Sequence, residues 1–132
     1  MKVIIETVSH ISQRYNTIGD WQWEGETLHI KVSDMGDWKK ELLVGVHEMV
    51  ETMLCKESGV TEEQVDAFDL SHSEEHEPGE NPDAPYYHQH KNAIYIEDML
   101  MQFLGVDADE YETVMEKLQD DRDKAESERE VK

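Results

Sequence analysis

The chain has 132 residues, with 12 Lys and Arg against 32 Asp and Glu, a formal net charge of −20. Hydrophobic residues make up 37%, enough for one core, whereas two cores from so short a chain would each be marginal. Phosphate contacts need Lys and Arg, so this charge argues against direct binding to nucleic acid or to an anionic membrane, and no apolar run approaches the ~18 residues of a membrane span.

Residues 2–33 read as strands. Val3, Ile4, Ile5 and Val8 form one β-prone run, and the single Lys and the polar break at Glu6 make this opening unlike a secretory signal. Residues 17–24 and the alternation Leu28, Ile30, Val32 flank the turn signal Glu24-Gly25-Glu26, which predicts a hairpin with Trp21 and Trp23 on one face as core or sheet cover. From Asp37 to Lys56 the period changes. Leu42, Leu43, Val46, Met49, Val50, Met53 and Leu54 recur at three- and four-residue steps, the pattern of an amphipathic helix with Asp34 or Asp37 at its start and Gly59 after its end. Cys55 on that helix is the only cysteine. It excludes an internal disulfide, suits a reducing compartment such as the cytoplasm, and packs as a small buried hydrophobe.

Thr61 with Gln64 forms a capping box that opens a short helix to about Phe68. Residues 70–86 carry three prolines among acids and histidines, and a loop of that length in a small domain points to function or disorder. A further amphipathic helix is predicted over Tyr86–Leu104, with Ala93, Ile94, Met99, Leu100, Phe103 and Leu104 on its apolar side, and another from Asp107 to about Leu118. Residues 119–132 have only Ala125 and Val131 apolar, which predicts an acidic tail that is frayed or disordered. The expectation is a single α+β domain over 1–118, an N-terminal antiparallel hairpin or small sheet followed by about three helices.

The chemistry concentrates in two places. One is His47-Glu48-Met49-Val50-Glu51. On a helix His47 and Glu51 lie about 40° apart with Cα atoms about 6 Å apart, so both side chains reach one cation. Glu48 stands where the general base for metal-bound water sits in an HExxH sequence, although Glu51 replaces the second histidine of that pattern. The other is Glu57–His90, where ten acidic residues and four of the seven histidines occur without a Lys or Arg. His90 is the expected third ligand, with Glu97 or Asp69 as substitutes and Asp66 one helical step from Asp69. His90 and Glu97 share a helix face, about 20° apart, but seven residues of rise separate them by about 10.5 Å. They cannot ligate the same ion, and one of them would support rather than bind. A divalent cation relieves the self-repulsion of converging carboxylates. Mixed imidazole and carboxylate ligation suits Zn²⁺, Mn²⁺, Fe²⁺ or Ni²⁺ better than Ca²⁺, with Zn²⁺ the expected ion.

His47-Glu48-Met49-Val50-Glu51, Val65-Asp66-Ala67-Phe68-Asp69, Glu77-Pro78-Gly79, Ala84-Pro85-Tyr86 with His90, and Glu97 together resemble a family of small uncharacterised proteins of phages and bacteria, over about residues 40–105. That resemblance implies a phage-type protein and no particular activity. The order of hairpin, His-Glu helix and later helix is also similar, by analogy, to minimal zincin-type metallopeptidases, which implies His47 as a zinc ligand and Glu48 as the general base, while Glu51 departs from the zincin pattern. Three functions follow. The first is a metal-binding protein acting as a metal-dependent hydrolase, with His47, Glu51 and His90 as ligands. The second is a non-catalytic acidic protein that occupies a basic groove on a host protein. The third, an all-helical nucleotide pyrophosphohydrolase using Glu48 and Glu51 for Mg²⁺, conflicts with the N-terminal strands.

Overall fold

The computed structural model describes residues 1–131. Strands β1 (Lys2–Val8), β2 (Gly19–Glu24) and β3 (Thr27–Ser33) form a sheet in the order β1-β3-β2. The β2–β3 hairpin sets Trp21 opposite Ile30 and Trp23 opposite Leu28. β1 runs parallel to β3, with Val3 opposite Leu28 and Ile5 opposite Ile30. The sheet is therefore mixed, and residues 9–18 carry the chain across to the far edge. Leu28, Ile30 and Val32 are fully buried because every second side chain of a central strand faces the same layer.

That layer is helix α1 (Trp38–Ser58). Its start is capped by the Asp37 side chain, which accepts from the Lys39 N–H, and it ends at Gly59 in the left-handed conformation. α1 lies close to the sheet at Gly45, where a Cβ would fall 2.9 Å from Ile5 Cγ2. α2 (Glu62–Ser71) opens with the reciprocal Thr61–Gln64 capping box and runs three residues past Phe68. Cys55 is buried in the core. After an irregular stretch with a 3₁₀ turn at Pro78–Glu80, α3 (Tyr87–Leu104) packs along α1. Its inward face is His90, Ala93, Glu97, Leu100 and Leu104. Met99 and Phe103, expected inside, lie roughly 80–120° around the helix from Ala93 and are 57% and 79% exposed. No helix of the described residues is long and apolar enough to cross a membrane.

The largest correction concerns the C-terminal segment. Instead of stopping near Leu118 with a frayed or disordered tail from 119, α4 runs Ala108–Val131. Polar contacts hold it there. Gln119 is buried, and its amide donates to the carbonyls of Asn16 and His76 at 3.3 and 3.1 Å. Arg122 Nη1 donates to the carbonyls of His10, Gln13 and Tyr15 at 3.0, 3.2 and 2.9 Å, while Nε pairs with Glu126. Hydropathy cannot register such a dock, since it buries almost no apolar side chain. Arg122→Ala leaves three carbonyls short of a donor, at a net cost of about 2–3 kcal/mol. Urea unfolding reads this, and Arg122→Lys restores only part of it because an ammonium cannot reproduce the planar fork. A loss below ~0.5 kcal/mol would show that the dock is ornamental.

Candidate metal centre

α1 delivers His47 and Glu51 to one spot from i and i+4, and α3 brings His90 across from the opposite side. His47 Nε2 lies 3.1 Å from Glu51 Oε2 and 3.2 Å from His90 Nδ1, and His90 Nδ1 lies 2.8 Å from the same Glu51 oxygen. All three residues are buried. A cation with bonds of ~2.0–2.1 Å spaces its donors about 2.9 Å apart at right angles and about 3.3 Å apart in a tetrahedron. The observed triangle therefore has the dimensions of one face of a coordination polyhedron. These residues form a group that could hold a metal ion. Among the described residues, Glu77, Glu80 and His90, and likewise His76, Asp120 and Asp123, also bring ligand atoms within 4.8 Å of one another.

The surroundings orient the donors. His47 Nδ1–H donates to Glu97 Oε1 at 2.7 Å, and the Tyr111 hydroxyl donates to Glu97 Oε2 at 2.6 Å. This fixes the ring so that Nε2 points into the triangle, the usual role of a carboxylate behind a ligating histidine. The Trp21 indole N–H points at Glu51 Oε1 at 3.5 Å, leaving Oε2 for the imidazoles.

Electrostatics follow from this packing. Burial pulls the His47 pKa down, but hydrogen bonds to Glu51 and Glu97 and the charges of Glu48 and Glu51 outweigh it and raise it to about 11. Burial pushes the Glu51 carboxyl up, yet the hydrogen bonds and charges of His47 and His90 bring it to about 2. Glu48, three residues before Glu51, is raised well above an ordinary glutamate by burial and by the Glu51 charge. It lines the same cleft of about 390 Å³, alongside Trp21, Asp69 and Tyr86. A carboxyl raised by burial beside a cluster of imidazoles and carboxylates is the kind of group that proton transfer uses.

The other acidic residues singled out in the sequence have other partners. Asp66 is tied to Arg14 at 3.1 Å, and Arg14 also forks onto Asp20, so Asp66 stands outside the triangle. Asp69 accepts hydrogen bonds from the Tyr86 and Tyr15 hydroxyls and borders the cleft, its carboxyl raised to about 6 by burial. Glu97 supports His47 and does not join the three-atom group. Sequence reasoning assigned no role to Tyr111, Tyr15 or the Trp21 N–H. Tyr111 and Tyr15 sit in segments with no ligand-like spacing, and Trp21 reads equally well as plain sheet core. Glu77-Pro78-Gly79 did carry a signal, since three unusual residues occur together in a loop without cations.

No family model matches the sequence, and neither the curated proteins nor the solved structures offer a match.

Proposed function

We propose that this chain is a metal-binding protein whose cation, Zn²⁺ by donor chemistry, is held by His47 Nε2, Glu51 Oε2 and His90 Nδ1, and that it acts as a metal-dependent hydrolase. The observation that carries this reading is the triangle of 2.8, 3.1 and 3.2 Å among two imidazole nitrogens and one carboxylate oxygen. Both imidazole nitrogens converge on the same carboxylate oxygen and lie 3.2 Å from each other in a buried site. Three protein donors with an opening to a cleft is the pattern of catalytic rather than structural zinc. A cation held by these three donors would supply Lewis acidity and an activated water, and Glu48, on the wall of the same cleft, is the carboxyl placed to take up a proton there.

The test is metal analysis of protein purified without an affinity tag and reloaded with Zn²⁺. One ion per chain is expected in the parent, and less than a tenth of that in His47→Ala. Glu48→Gln should retain the ion and lower metal-dependent hydrolysis of activated esters by about 10²-fold. Substoichiometric metal indifferent to His47→Ala defeats the metal reading. Full metal loading without metal-dependent turnover on esters, amides or phosphoesters defeats the hydrolase reading alone.

A further inference from the structure

His47 has a partner on each ring nitrogen and His90 does not. His90 is 6% exposed, yet its Nε2 is buried without a hydrogen-bond partner among the described residues. Glu77 Oε2 stands 3.8 Å from that nitrogen, and the Glu77 side chain is 51% exposed. Glu77 leads into the Pro78–Glu80 turn, which lies directly against the ring: a Cβ on Gly79 would fall 2.7 Å from His90 Cγ and Nδ1. Tyr86 meets the same ring edge-on at a centroid distance of 6.3 Å. The loop segment is thus built around His90, with a carboxylate one rotamer adjustment from its orphaned nitrogen.

We propose that Glu77 is a positioning residue that accepts the Nε2–H of His90 when Nδ1 holds the cation, so that the Glu77–Glu80 turn clasps one ligand as Glu97 clasps the other. This rests on the metal-centre reading above. A cation on Nδ1 fixes the proton on Nε2 and polarises it. A buried N–H left unpaired is costly, and closing ~1 Å brings the carboxylate from 3.8 Å to an ordinary hydrogen-bond length. The same atoms allow a rival arrangement in which Glu77, Glu80 and Nε2 hold a second cation.

Zinc affinity measured by chelator competition on the whole chain, together with ¹⁵N NMR of the histidine rings in the zinc-loaded protein, separates these outcomes. The expected result is one Zn²⁺ per chain and a 10–100-fold weaker affinity in Glu77→Ala. Glu77→Gln should recover part of the loss, because its amide oxygen still accepts, and Glu80→Gln should stay within about twofold of the parent. The His90 Nε2–H resonance should exchange slowly in the parent and be lost in Glu77→Ala, a signature that a general weakening of the loop does not produce. Parent-like affinity and an unchanged resonance in Glu77→Ala overturn the proposal. Two Zn²⁺ per parent chain, the second lost in Glu80→Gln, overturn it in favour of the second cation. A parent that binds no Zn²⁺ overturns the metal-centre reading itself.

Discussion

Free Zn²⁺ at about a thousandfold excess over its Kd, added to chelator-stripped protein, should raise the melting temperature by about 10 °C or more, and Glu51→Gln should abolish the shift. The donor triangle exists only when α1 and α3 are packed together, because His90 is 43 residues from His47 in sequence. A cation held there would therefore bind the folded chain and hardly the unfolded one, stabilising it by RT ln(1 + [L]/Kd), about 4 kcal/mol at a thousandfold excess over Kd. For a domain of this size, each kcal/mol moves the midpoint by roughly 3–5 °C. Glu51→Gln keeps the shape of the side chain while removing the charge that sits between the two imidazoles, so the fold survives and the site does not. Mg²⁺ and Ca²⁺, which prefer oxygen donors, should give little shift. Calorimetric scans read all of this. A shift under 2 °C, or one equally large in Glu51→Gln, would falsify the assignment.

The parts of the molecule legible in the sequence are those fixed by local periodicity. His47 and Glu51 are neighbours because helices repeat every 3.6 residues, and the β2–β3 hairpin follows from alternation around Glu24-Gly25-Glu26. The rest depends on contacts made across the chain. That β1 pairs parallel to β3 is decided by where residues 9–18 can pass. That Glu97 lies behind His47 rather than in the triangle is decided by the α1–α3 packing. α4 persists beyond Leu118 because Gln119 and Arg122 find carbonyls of residues 10–16 and 76, partners more than 40 residues away that no local pattern reveals.

The net charge also resolves into separate local problems. Asp20 and Asp66 share Arg14, and Asp123 takes hydrogen bonds from His76 and Asn16. The cation-free stretch from Glu57 to His90 sends Asp69, Glu77 and His90 to the cleft. There the Asp69 carboxylate accepts from the Tyr15 and Tyr86 hydroxyls, and burial pushes it up to about 6. Glu48, likewise raised, faces the Glu51 charge. The groups in hydrogen-bond contact with Glu51 Oε2 include the imidazoles of His47 and His90, and a histidine can ligate a metal only through a nitrogen free of its proton. A cation held by the triangle would therefore compete with a proton for the same nitrogen.

That competition predicts a steep pH dependence of metal affinity. With its pKa raised to about 11, His47 carries a proton on both ring nitrogens throughout the neutral range. Coordination through Nε2 must expel one of them, while Nδ1–H stays on Glu97. Glu51, at about 2, is already ionised and adds nothing. Apparent affinity should therefore rise about tenfold per pH unit from pH 6 to 9, roughly 10³-fold in all or about 4 kcal/mol. An ordinary histidine site would level off above ~6.5. Chelator competition across this range gives the slope, and titration calorimetry in buffers of different ionisation enthalpy gives the released proton. The linkage runs the other way for the metal-free fold. A pKa raised on folding contributes stability that is complete below ~6.5 and is lost as pH climbs toward 11. The metal-free midpoint should fall over that window while the zinc-loaded midpoint holds, because the cation has replaced the proton. Glu97→Gln removes one of the two carboxylates that keep His47 protonated. It should flatten the affinity slope above pH 8 even as it weakens binding at pH 9. An affinity already flat above pH 7 in the parent would mean that His47 gives up no proton to the metal and that the ligand set drawn from the triangle is wrong.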